Sequence, residues 1–144
     1  MINEEIPQVS KEHVSDPYVT NVVRQALQNT DFRKVLWTGR YAQMTIMSIP
    51  AGSDIGLENH ENTDQMIRIE QGIALVKMGE SEGKMDFQTK VHMGDTVFVP
   101  AGTWHNVINL GRIPLKVSSV YAPPHHPAGT VHHTKEDAKR ESIS

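Results

Sequence analysis

The chain has no cysteine in 144 residues, which removes disulfides, thiol nucleophiles and thiolate metal sites together. Any metal must be held by nitrogen and oxygen donors. Basic runs are missing too: 14 Lys+Arg stand against 17 Asp+Glu for a formal net charge of -3, with pI near 6.2. Binding a phosphate backbone needs a basic patch, so nucleic acid is not an expected partner. No apolar stretch approaches the roughly 20 residues of a membrane-spanning helix. The opening MINEEIPQVSKEH lacks the basic and apolar regions of a secretory signal. The expected setting is the cytoplasm, without membrane contact. Internal repeats and low-complexity tracts are also absent.

What is present fits one domain over residues 1–144, large enough for a real core. The first fifteen residues are polar and aperiodic and read as a terminal arm. Asp16-Pro17 then offers an N-cap with proline at the first helical position, and Val19, Val22, Val23, Ala26 and Leu27 follow helical spacing. One helix with an apolar stripe is expected there. From Asn29 the chain becomes short runs rich in β-branched and aromatic residues, at 32–38, 41–49, 65–70, 73–78, 85–91, 96–99, 104–109 and 115–121. Turn signals separate them, including Pro50-Ala51-Gly52, Gly94-Asp95 and Pro100-Ala101-Gly102. Such spacing predicts an antiparallel sandwich or barrel. The tail APPHHPAGTVHHTKEDAKRESIS begins as a proline-rich turn and ends in a charged segment from Thr134 with the makings of a short helix.

Two segments carry the chemistry. In GSDIGLENHENTDQMIRIEQG, residues 52–72, Glu58 and His60 are two apart, so an extended backbone projects both to one side. Gln65 has the opposite parity and needs a bend or a neighbouring strand to join them. In GDTVFVPAGTWHNVIN, residues 94–109, His105 follows a strand and a tight turn.

These segments resemble the paired motifs of the cupin superfamily. Gly52, Glu58, His60, Gln65 and Gly72 fall on the positions of the first motif, with glutamate in place of the first histidine and glutamine in place of the glutamate. Gly94, Asp95, Pro100, Gly102, His105 and Asn109 match every defined position of the second. The resemblance covers about 29–121 and implies an all-β fold: an antiparallel jelly-roll barrel with one N-terminal helix (arm and helix, 1–28) and a proline-rich C-terminal tail (122–144). It also implies one divalent metal ion per chain at Glu58, His60, Gln65 and His105, and a homodimer formed through sheet edges. The tail is similar to that of small bacterial cupins labelled mannose-6-phosphate isomerase-like.

Two imidazoles, a carboxylate and an amide oxygen suit Zn, Mn, Fe(II), Ni or Co. His60 and His105 are the anchors, Glu58 supplies negative charge, and Gln65 is a weaker oxygen that could also act from behind the ligands. The motif glycines and prolines set turns, and Asn109 is expected to satisfy backbone groups inside the barrel. His125, His126, His132 and His133 form adjacent pairs that point opposite ways, so surface or lid roles are expected for them. Arg68 and Lys77 should face solvent, Trp104 should pack opposite His105, and Met44, Met47, Met66, Met78, Met85 and Met93 should fill core. The leading functional expectation is a metal-dependent enzyme on a small molecule, a sugar or sugar phosphate isomerase or epimerase, with no catalytic base assignable. Type I phosphomannose isomerases, also cupins, bind zinc with a glutamine, a glutamate and two histidines. The competing readings are a metal-dependent dioxygenase and a non-catalytic module that binds a small ligand.

Overall fold

Alternation of apolar and polar side chains builds most of the architecture, because each strand must bury one face. The structure is a computed structural model that describes residues 13–142. In chain order its elements are β1 (His13–Val14), α1 (Val22–Gln28), β2 (Arg33–Thr38), β3 (Gln43–Ile49), β4 (Asp64–Gln71), β5 (Ile73–Gly79), β6 (Phe87–His92), β7 (Thr96–Val99), β8 (Trp104–Asn109), β9 (Leu115–Ala122), β10 (Val131–His132) and α2 (Lys135–Ser142). One sheet runs β1-β2-β3-β9-β4-β7, with β10 added to β2, and a smaller one runs β6-β5-β8. Every pairing is antiparallel except β1 with β2. Stacked face to face, the two sheets form the expected jelly roll.

Parity decides what lies between them. Met47 and Ile49 on β3, Ile67 and Ile69 on β4, and Leu115 and Val117 on β9 meet Ala74, Val76 and Val107 from the smaller sheet. Burying each large aliphatic side chain contributes about 1.5–3 kcal/mol. The same inward rows continue into polar residues at the other end: Gln43 and Thr45 on β3, Ser119 and Tyr121 on β9, Gln65 on β4 and Arg33 on β2, all buried. An apolar floor therefore supports a polar chamber within one sandwich. Gly94 and Gly102 stand at φ +93 and +82, a region where a side chain is strained. Gly94 turns the chain into β7, and Gly102 turns it from β7 in the larger sheet to β8 in the smaller one.

The helix differs from its expected span. It begins at Val22, capped by Asn21, whose side chain accepts from the Arg24 N–H at 2.9 Å. Residues 16–20 stay outside the helix because other partners claim them: the Trp37 indole donates to the Asp16 carbonyl at 2.8 Å, and Tyr18 stacks on His13 with ring centroids 3.7 Å apart. Of the expected stripe only Ala26 is fully buried, packed with Leu36, Ile46, Val22 and Met44, whereas Val19, Val23 and Leu27 are exposed. The methionines divide likewise. Met47 and Met78 fill core, while Met66 and Met93 are exposed on outward or turn positions. The arm expected over the first fifteen residues lies mostly outside the described residues; its last part includes β1. Among the described residues, no helix is long and apolar enough to cross a membrane.

Candidate metal centre

Residues 53–60 lie alongside β8 as an interrupted strand. Ile55 N–H donates to the Val107 carbonyl at 3.0 Å, Glu58 and His105 exchange both backbone hydrogen bonds at 2.9 Å, and Gly102 N–H donates to the His60 carbonyl at 2.9 Å. This pairing sets Glu58 directly opposite His105 and carries His60 to the same point. Ligand atoms of Glu58, His60 and His105 all lie within 4.8 Å of one another. Glu58 Oε1 is 3.3 Å from His60 Nε2 and 3.7 Å from His105 Nε2.

The tautomer of His105 is fixed by its neighbour. Its Nδ1 lies 3.0 Å from the Thr103 carbonyl, which can only accept, so Nδ1 carries the proton and Nε2 presents a lone pair. Burial lowers the His105 pKa, opposed by the Thr103 hydrogen bond and the Glu58 charge and assisted by His60. For Glu58, burial alone would raise the carboxyl pKa. The adjoining His60, the Arg33 guanidinium and His105 outweigh it and bring the pKa down to about 2, so the carboxylate is charged. Arg33 Nη2 donates to Glu58 Oε2 at 3.3 Å, leaving Oε1 directed at the imidazoles.

Gln65 reaches this end of the sandwich from the facing sheet, which answers its parity. It pairs with Tyr121 and Val99. Its Nε2 lies 3.4 Å from Ser119 Oγ, and its Oε1 is buried without a donor. Among the described residues, eight buried side-chain nitrogen or oxygen atoms lack a hydrogen-bond partner. Half of them are Glu58 Oε1, His60 Nε2, Gln65 Oε1 and His105 Nε2. Buried polar atoms are normally satisfied. Unshared lone pairs on one carboxylate and two imidazoles suit a divalent transition ion, and Glu58, His60 and His105 lie close enough together to hold one.

Several neighbours escaped the sequence reading. Arg33, only 3% exposed, shares inward parity with Val35, and a charged residue in an inward row was the available signal. Tyr121 also adjoins the centre, its ring edge-on to His60 at 5.7 Å. Burial, moderated by Arg33 and Thr45 among its neighbours, raises its phenol pKa to about 12. The tail histidines are not uniformly surface residues. His125 packs on His60 with centroids 4.0 Å apart. His126 is half-buried beside Tyr121, and His132 is buried, accepting from Arg33 Nη1 at 3.3 Å and bonding Glu141 through Nε2. His125 and His133 are exposed, and His133 pairs with Asp31. The adjacent pairs do diverge, as expected, but one member of each turns inward.

Residues 45–121 match the family described as "Cupin domain". The chain belongs to the cupin family. This cupin is 55% identical over 128 residues to the uncharacterized protein YrkC of Bacillus subtilis (strain 168), covering 89% of this chain and 69% of that one. It is 36% identical over 115 residues to the uncharacterized protein L612 of Acanthamoeba polyphaga mimivirus, covering 79% and 70%. Among solved structures, BH2720 from Bacillus halodurans is similar with a TM-score of 0.88 and 48% identity, covering 90% of the cupin and 98% of that chain.

Proposed function

We propose that this cupin is a metal-dependent enzyme of small-molecule metabolism, holding one divalent ion at Glu58, His60, Gln65 and His105 and isomerising or epimerising a sugar-type substrate. The observation that carries the reading is the convergence of Glu58, His60 and His105, whose ligand atoms lie within 4.8 Å of one another at a place where buried lone pairs lack hydrogen-bond donors. The tail's resemblance to the mannose-6-phosphate isomerase-like cupins adds weight to the same chemistry. A bound ion would polarise a carbonyl or enediol oxygen. The protein's own residues do the rest: Thr103 orients His105, Arg33 holds Glu58 ionised, and His125 and Tyr121 close the site beside His60. A cavity of about 410 Å³ leads to Glu58 between the barrel and the tail, within the range of small-molecule sites.

Two histidines and one carboxylate are also the donors of non-haem iron oxygenases, and Glu58, His60 and His105 are that set. A dioxygenase is therefore the second reading, and a non-catalytic binding module is the third. Elemental analysis of protein purified without added metal, followed by NMR of candidate sugars in deuterated water, separates them. Solvent deuterium entering the carbon beside the carbonyl supports the isomerase, oxygen uptake the dioxygenase, and neither the module. The same reading takes the chain as one domain working as a homodimer joined through sheet edges. Sedimentation at micromolar concentration should give twice the chain mass of 16.1 kDa.

A further inference from the structure

Arg33 offers Glu58 only one arm of its fork. A guanidinium beside a carboxylate commonly donates two parallel N–H bonds, one to each oxygen. Here Nη2 donates to Glu58 Oε2 at 3.3 Å while Nη1 donates to His132 Nδ1, also at 3.3 Å. The other contacts of Arg33 are with Met47 Sδ, the Phe32 ring and the Tyr121 phenol. Glu58 Oε1 is thereby left facing the Nε2 atoms of His60 and His105, at 3.3 and 3.7 Å. The tail supplies the residue that takes the second arm. β10 pairs with β2 in the register that sets His132 beside Arg33, and His132 is buried there. Because a guanidinium can only donate, His132 Nδ1 is the acceptor, which puts the ring proton on Nε2. That nitrogen faces the Glu141 carboxylate of α2. A chain of donors and acceptors with matching polarity therefore runs from Glu141 through His132 and Arg33 to Glu58.

We propose that His132, held by Glu141, is a positioning residue of the metal centre: it draws one arm of Arg33 away from Glu58 and so keeps Oε1 available to the ion. The inference rests on the proposed metal-dependent reading. His132 is not one of the converging ligands and acts through Arg33. Without it, the guanidinium is free to turn and close on both oxygens of Glu58, and that bidentate pair competes with a metal for Oε1. Outer partners that orient a ligating group change metal affinity by about 10- to 100-fold.

The test compares two substitutions of similar size at His132 that differ in the acceptor they present to Arg33. Zinc affinity is read by competition with a chromophoric chelator, and the ligand set by the visible spectrum of the Co(II) form. His132→Leu should weaken zinc about tenfold and shift the Co(II) bands. His132→Asn, whose Oδ1 stands where Nδ1 was, should stay within about threefold of wild type and keep its spectrum, the rescue expected of a restored hydrogen bond. Glu141→Leu, at a position 39% exposed and so with little folding risk, should weaken zinc about threefold. Equal zinc affinity and an unchanged spectrum in His132→Leu overturn the positioning role. So does a His132→Asn variant as weak as His132→Leu, since lost packing and not a lost acceptor would then be the cause. Should His132→Leu fail to fold, Glu141→Leu decides, and unchanged affinity there overturns the chain. If wild-type protein takes up neither zinc nor Co(II), the metal reading itself fails and the positioning role with it, whereas zinc held equally by wild type and variants refutes the positioning role alone.

Discussion

His105 donates its Nδ1–H to the carbonyl oxygen of Thr103 at 3.0 Å, and this local bond aims Nε2 at Glu58, 3.7 Å away. A ring with one nitrogen saturated by its own backbone has a single lone pair to offer, at a defined angle. His105→Ala should therefore abolish metal binding, and His60→Ala should weaken it severely. Stoichiometric metal retained in the double His60→Ala, His105→Ala variant, read by elemental analysis, would place the ion elsewhere.

Gln65 offers the ion a neutral amide oxygen, a poorer donor to a dication than a carboxylate. Gln65→Glu should tighten metal binding, while Gln65→Leu should weaken it less than His105→Ala does. Competition with a chromophoric chelator measures both. Looser binding in folded Gln65→Glu would mean that the Nε2 donor toward Ser119, or the neutrality of the site, matters more than added charge.

Much of this centre was legible because short-range rules govern it. The i, i+2 spacing of Glu58 and His60 and the turn before His105 place three side chains together once residues 53–60 pair with β8. All eight expected strands are present, since alternation and turn residues are local signals. Arg33 was not legible as the partner of Glu58, because their meeting depends on the packing of β2 against residues 53–60. The helix start failed for a related reason: Asp16-Pro17 has good capping chemistry, but Trp37, about twenty residues later, takes the Asp16 carbonyl. The short β10 was missed as well, since two residues carry no periodicity and their pairing with β2 is a tertiary choice.

Asn109 closes the opposite end of β8 from inside. Its Nδ2 donates to the Ile49 carbonyl at 3.0 Å and the Ile113 carbonyl at 2.9 Å, and its Oδ1 accepts from Gly111 N–H at 2.8 Å. Asn109→Ala leaves these groups without partners and should cost about 2–4 kcal/mol in urea unfolding. Asn109→Asp should be worse, because it sets a carboxylate against two carbonyl oxygens. A change below about 0.5 kcal/mol for Asn109→Ala would show that water replaces the side chain at little cost.

The metal-free protein should lose stability in acid partly through Glu58. Its folded pKa, about 2, lies below the model-compound value of 4.5, so its stabilising contribution is complete above pH 4.5 and disappears as pH falls toward 2. Burial also depresses the His126 pKa, with Arg33 and His125 adding to it, and this contributes a separate acid loss beginning near pH 6.5. Comparing wild type with Glu58→Gln isolates the carboxylate. The stability difference between them should shrink between pH 4.5 and 2, and a difference that stays constant across that window would exclude an ionised Glu58 in the folded state.

Gln43 is the clamp that holds the tail over the centre. Its Oε1 accepts from the amides of His125 and His126 at 3.2 and 3.0 Å, and its Nε2 donates to the His126 carbonyl at 2.8 Å. Those bonds keep the His125 ring against His60, while Pro123, Pro124 and Pro127 reduce the entropy lost in ordering the segment. Gln43→Leu preserves approximate volume and removes all three bonds. It should speed hydrogen exchange at the His125 and His126 amides at least tenfold and weaken small-molecule binding, while metal content changes little because Glu58, His60 and His105 are held by their own backbone pairing. If the metal is lost along with amide protection, the tail is part of the ion's support and not only a cover. Unchanged protection would mean that β10 and α2 alone hold the tail in place, and that Gln43 is dispensable to the mouth of the site.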